Sequence, residues 1–292
     1  HRLIRRQRQM CIRDRFFYKP LTLTVFRATL LYSLFAEKRL IRDYANYHKC
    51  VAGKEFIEKT KYKYLSRSDQ GKGAPSPPLE LPWDKNAELI KLSRDFSDIP
   101  KISLKECISS RKSLRKYSST PISLLELSWL LWSSQGIKEF MRQTYTLRTV
   151  PSAGARHAFE TFLLVNNVKN LEPGLYRYIA SKHSLLFIDN SENLSEKFIK
   201  ASYNQRMVKN SAVTFFWVAI TYRMVWRYGE RGYRYLFLDA GHVCQNIYLA
   251  SENINCGTCA IGAFHDDELN KLLNIDGKDQ FIIYAAAVGK KN

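Results

Sequence analysis

The chain has 292 residues, of which 45% are apolar and 25% charged, at a mean hydropathy of −0.33. That balance supports a sizeable globular core and excludes disorder as the default. A formal charge of +19 invites a nucleic-acid partner, but six arginines (Arg2, Arg5, Arg6, Arg8, Arg13, Arg15) sit at one end and the rest of the charge is scattered. A basic nucleic-acid-binding protein is therefore kept only as a second reading.

In chain order, residues 1 to about 16 read as an appended, adapter-like stretch set apart from the fold. Leu21 to Ala36 is apolar but short, and Arg27 interrupts it. No membrane span is expected from it, and an amphipathic helix is the economical reading. Residues 17–84 thus read as an N-terminal helical segment ending in a Pro/Gly-rich linker at 65–84, and 85–292 as the main domain.

Ser103 to Ser110 reads as a helix, followed by the basic cluster Arg111-Lys112-Ser113-Leu114-Arg115-Lys116-Tyr117. A second helix should start at Ser123, with Glu126 completing a capping box and Leu124, Leu127, Leu130, Leu131 and Ile137 forming its buried face. A polar turn precedes Pro151-Ser152-Ala153-Gly154. Strands are expected at Glu160–Val165 and Ala212–Ile220, with a hairpin from Leu175–Ile179 and Leu185–Ile188. Helices are expected near Ser195–Ser202, Arg234–Glu252 and Asp266–Leu273. A Gly/Cys-rich loop is expected around 256–262, and a last strand at Phe281–Val288. Helices mixed with hairpins argue an α+β class.

The six cysteines are dispersed, which fits a reducing, cytoplasmic compartment better than a disulfide scaffold. Cys256-Gly257-Thr258-Cys259 lacks the second pair or spaced histidines that zinc would require, so no metal is expected. The basic cluster offers planar guanidinium forks and a hydroxyl suited to a phosphate, although a solvated basic run has the same composition. Asp239 and His242 are spaced i, i+3 on one helix and are read as fixing that helix and its contacts.

Taken together, four motifs resemble the nitroreductase superfamily, and within it the SagB-type (thiazole/oxazole) dehydrogenase branch. They are Arg111-x-Ser113-x-Arg115-x-Tyr117, Pro151-Ser152-Ala153-Gly154 before a strand, Leu238-Asp239-Ala240-Gly241-His242, and Ile261-Gly262-Ala263-Phe264. The resemblance covers roughly residues 55 to 290. It implies an α+β sandwich, FMN as cofactor, hydride transfer through flavin N5, and a homodimer with flavin at the subunit interface. By the same resemblance Arg111, Lys112, Ser113, Arg115 and Lys290 hold the phosphate end, Ser152, Ala153 and Gly154 line the ring, and Ile261 and Gly262 offer backbone groups to its edge. Arg227 stands where such sequences often carry lysine. Arginine does not deprotonate, so Tyr228 becomes the catalytic candidate. The substrate is an azoline heterocycle of a modified peptide or, alternatively, a nitro or quinone compound reduced with NAD(P)H. A catalytically inactive flavin-fold scaffold is a further alternative.

Overall fold

The computed structural model describes residues 38–39, 51–141 and 144–292. The adapter-like stretch and the apolar segment 21–36 lie outside the described residues. The chain divides into two compact units, His1–Lys59 and Thr60–Asn292. In the first, helix α1 (Val51–Lys59) carries an exposed Glu55–Lys59 pair one turn apart, a contact worth a few tenths of a kcal/mol.

The second unit is built on a seven-stranded sheet whose strands, numbered in sequence, run in the order β1-β6-β5-β4-β7-β9-β8. They are β1 (Leu89–Lys91), β4 (Phe159–Val165), β5 (Gly174–Ile179), β6 (Ser184–Asp189), β7 (Val213–Ile220), β8 (Cys256–Ile261) and β9 (Gln280–Lys290). Every neighbouring pair is antiparallel. Two short strands, β2 (Ile137–Met141) and β3 (Tyr145–Arg148), form a separate hairpin.

The side-chain period of two sends Leu163, Val165, Phe215 and Trp217 to one face of the sheet, and Phe162, Leu164, Phe216 and Val218 to the other. Helices α3 (Leu124–Gln135) and α7 (Gly232–Asn253) cover the first face. On the other lie α4 (Leu194–Ala201), α5 (Met207–Asn210) and α8 (Asp266–Leu272). Because both faces are covered, β4 and β7 are buried along nearly their whole length. Apart from Glu160, Thr161 and Thr214, their sequences therefore run apolar without alternation. The mainly antiparallel α+β sandwich read from the sequence is thus the observed fold.

Helices α2 (Leu104–Ser110) and α3 begin as their sequences require: Ser103 with Glu106, and Ser123 with Glu126, form complete capping boxes. Each cap is worth about 0.5–2 kcal/mol. Three expectations change. Ile137 belongs to β2, because α3 ends at Gln135 and Gly136 caps it. The expected polar turn contains the β2–β3 hairpin. The expected Gly/Cys-rich loop is strand β8, paired with β9 from Cys256↔Lys290 to Ile261↔Ala285. A helix absent from the sequence reading, α6 (Thr221–Tyr228), joins β7 to α7.

The Pro/Gly-rich stretch read as a linker is bound down as a strap. Ala74 O accepts from Trp226 Nε1 at 3.0 Å, Pro78 O from Arg223 Nε at 2.9 Å, and Leu81 O from Arg177 at 3.1 Å. Leu81 N in turn donates to Glu160 at 2.8 Å. Beneath it, Arg223 and Glu160 form a 2.6 Å ion pair with both side chains buried.

Two buried histidines lie in the same region. His157 is pushed down to about 3, first by burial and then by Arg148. His183, held between Tyr178 Oη (2.6 Å) and Ser128 Oγ (2.8 Å), is pushed down to about 4, first by burial. Both are neutral in the fold, whereas the unfolded chain takes up these protons near an ordinary histidine pKa of about 6.5. The stability that depends on these two histidines is therefore fully present above about pH 6.5. It should fall with acidification by up to about 1.4 kcal/mol per pH unit for each histidine, until about pH 4 for His183 and pH 3 for His157. Urea midpoints measured across that range should drop, and His157→Gln should flatten the profile.

Candidate functional site

The basic cluster lies along the outer edge of the sheet. Ser113 bridges Thr258 in parallel, and Leu114 N donates to Thr258 O at 2.9 Å, so residues 113–114 cover the edge of β8. Gly257 makes this possible, since a Cβ there would lie 2.4 Å from Leu114 Cδ2. Ser118 N then donates to Lys290 O, and Tyr117 Oη donates to Ala287 O at 3.0 Å, fastening the segment to β9.

Tyr248, on α7, connects this segment to the end of β8. Its hydroxyl lies 3.0 Å from Ser113 Oγ and accepts from Ala260 N at 2.9 Å, one residue before Ile261-Gly262. Arg111 sits over the ring of the same tyrosine, 5.3 Å from its centroid. Arg111, Ser113, Ile261 and Gly262 are therefore one group, with Lys112 and Arg115 exposed beside them. Among the described residues no carboxylate pairs with Arg111, Lys112 or Arg115. Lys290 is placed differently: its ammonium bonds Glu126 and Ile254 O, leaving one donor.

A second group forms around Gly154. That residue has φ +56, and a Cβ on it would lie 2.5 Å from Tyr228 Oη and 2.8 Å from Arg227 Nε. Only glycine fits there, on both steric and backbone grounds. Asp239 holds the loop, accepting from Ala153 N at 3.2 Å, while Ser152 Oγ accepts from His157 N at 2.9 Å. The Asp239 carboxyl is shifted upward by burial, against the opposing pull of Ser152 and Ala153. Asp239 thus positions this loop instead of merely fixing its helix. A cavity of about 550 Å³ opens beside Gly154, Arg156, Trp226 and Arg227.

The two groups do not meet. Asp239 and Tyr248 are nine residues apart on α7, which places them about 13 Å apart along the axis and half a turn around it. Between them the helix exposes Gly241, His242 and Gln245.

Tyr248 escaped the sequence reading because a tyrosine between Ile247 and Leu249 reads as helix core. Arg156 was overlooked as an ordinary charge, although it is buried. The cysteine pair in β8 is thiol, not thiolate. Burial pushes Cys256 up to about 12 and raises Cys259 despite the opposing effect of Arg115, which removes nucleophilic character.

A basic edge, a glycine loop against a tyrosine, and a sandwich closed on both faces give an α+β scaffold with two candidate ligand-binding regions. Residues 108–290 match the nitroreductase family. The protein MJ1384 of Methanocaldococcus jannaschii, which carries nitroreductase in its name, is 33% identical over 195 residues, spanning 66% of this chain and 94% of that one. The trifolitoxin-processing protein TfxB of Rhizobium leguminosarum bv. trifolii is 27% identical over 46% of this chain and 37% of its own length. A solved structure from Anabaena variabilis, likewise named for nitroreductase, superposes with a TM-score of 0.55 at 27% identity over 73% of this chain and 45% of that one. This chain therefore spans less than half of TfxB and of the Anabaena protein. The chain belongs to the nitroreductase family and is an oxidoreductase of that family.

Proposed function

We propose that this protein is an FMN-dependent oxidoreductase of the SagB-type branch, acting as a homodimer on a heterocycle of a modified peptide. The carrying observation is the set of cations at Arg111, Lys112 and Arg115, none paired with a carboxylate among the described residues, in a segment joined through Ser113 and Tyr248 to the end of β8. Unpaired guanidinium forks beside a hydroxyl suit a phosphate monoester, so the residues present fit FMN. When bound, FMN supplies the two-electron redox chemistry through N5.

The residues divide the work. Arg111, Lys112, Ser113 and Arg115 anchor the phosphate, and the remaining donor of Lys290 adds to them. Ser152, Ala153 and Gly154 line the ring, while Ile261 and Gly262 face its edge. Tyr228, held against Gly154, is placed to hold or pass the substrate proton. The half-turn between the two groups on α7 supports a dimer in which one chain's edge group faces the other chain's Gly154 group. Gly241, with nothing within 4 Å of a Cβ position, leaves room for a partner helix to approach. In this reading 85–292 is the FMN-binding domain and the stretch 65–84 contributes the strap. Buried unpaired thiols suit a cytoplasmic setting, and no helix among the described residues is long and apolar enough to cross a membrane.

Similarity to a trifolitoxin-processing protein supports the peptide substrate. Arg227, in place of a deprotonatable lysine, favours the second reading: an NAD(P)H-dependent nitro or quinone reductase. The purified protein should carry a visible flavin absorbance band, about one per chain and released on denaturation. A protein that neither holds nor takes up FMN overturns the assignment in favour of a nucleic-acid-binding or scaffold role. Arg111→Ala with Ser113→Ala should weaken FMN retention by about 3 kcal/mol or more, since bonds to charged groups are worth about 1.5–3 kcal/mol each. Flavin occupancy after gel filtration reads the loss. NADH or NADPH oxidation with a nitroaromatic, against turnover of an azoline peptide, separates the two substrate readings.

A further inference from the structure

We infer that the cleft beside Gly154 is a carboxylate-binding subsite, formed by Arg227 and Arg156, which selects a substrate bearing a free carboxylate. The inference rests on the reading that Gly154 and Tyr228 border the reaction site.

Arg156 is a fixed wall of the cleft. It is buried, donates through Nε to Arg223 O at 3.0 Å and through Nη2 to Ser76 Oγ at 3.2 Å, and lies over the Trp226 ring at 4.8 Å. Its Nη1 has no acceptor among the described residues. Arg227 follows Trp226 on α6, and its Nε lies 2.8 Å from where a Gly154 Cβ would stand. No carboxylate pairs with Arg227 among the described residues. Both side chains line the cleft, and burial first, then the Arg227 charge, holds the Arg156 guanidinium below its usual pKa.

Uncompensated positive charge next to a low-dielectric wall attracts an anion, and a guanidinium fork matches the planar, two-oxygen shape of a carboxylate. Trp226 and Tyr145 supply flat apolar lining, and the volume of about 550 Å³ is that of a small-molecule site. The seat therefore suits a carboxylate on an apolar or aromatic body, such as a peptide terminus or an acidic side chain beside the reacting group. It also gives Arg227 a use that does not require it to deprotonate. A nucleotide phosphate shares the anionic chemistry and is the competing source.

The full chain, as purified with its flavin absorbance recorded, is titrated calorimetrically with benzoate, benzamide and inorganic phosphate. Benzoate should bind at least about tenfold more tightly than benzamide, and Arg227→Gln should weaken benzoate about ten- to a hundredfold while leaving benzamide unchanged. The flavin absorbance and the melting temperature of that variant should match those of the parent. Equal binding of benzoate and benzamide, an unchanged benzoate affinity in Arg227→Gln, or no binding of either overturns the subsite. Displacement of benzoate by phosphate at lower concentration overturns it in favour of a nucleotide phosphate seat. Colourless protein that takes up no FMN defeats the flavin reading instead, and the absorbance of the same sample separates the two failures.

Discussion

Glu160→Ala is expected to destabilise the fold by about 3–5 kcal/mol, because it leaves Arg223 charged and buried without its partner. Both side chains are almost inaccessible, at 2% for Arg223 and 3% for Glu160. Arg223 Nη1 already lacks a partner, so it has no spare bond with which to compensate. The same carboxylate receives Leu81 N, and the strap should loosen with it. The denaturant midpoint should fall sharply, and proteolysis near residues 74–82 should quicken. A loss below about 1 kcal/mol would show that Arg223 has another route to solvation. Replacing both partners by apolar residues of similar volume should cost much less than the single change, since no orphan charge remains.

Tyr228→Phe is expected to lower kcat about 10²- to 10⁴-fold, the usual contribution of a positioned acid–base group, while FMN retention is unchanged. The hydroxyl is the atom nearest the Gly154 Cβ position, whereas the ring keeps its edge contact with Tyr235 at 4.7 Å. Removing one oxygen should leave the scaffold and the phosphate end intact. Rapid-reaction traces should place the loss in the step that moves substrate hydrogen. An unaltered kcat would transfer the proton role away from this side chain.

Sequence carried much of the fold because its rules are local. Ser103 with Glu106 and Ser123 with Glu126 are capping boxes in the primary structure and in the folded one. The apolar run of β7 announces a strand covered on both faces. The β8 strand did not announce itself: its glycine looks like loop chemistry until Leu114, from far along the chain, is seen packed over it. The strap failed for a related reason. Proline and glycine there predict no helix or strand, and composition cannot show that its carbonyls meet Arg223, Arg177 and Trp226.

The proposed site was legible as separate motifs, but their spatial grouping was not. Arg111 to Arg115 meet β8 at Thr258, and are tied to the Ile261-Gly262 end by Tyr248, a residue whose ring reads as core and whose hydroxyl has the linking role. Asp239 was visible as an acid on a helix, yet its task of holding the Ala153 amide depends on where the loop returns. Such roles depend on tertiary geometry, which no spacing rule encodes.

The strap also bears on the order of assembly. Its bonds join positions separated by 79, 96, 145 and 152 residues. What it binds is an array of guanidinium, indole and carboxylate groups that exists only once β4, β5 and α6 are side by side. Closing such long loops earns nothing until that array is built. Residues 74–82 are accordingly expected among the last to fasten on the way to the native state, with the Arg223–Glu160 pair open to water until they do.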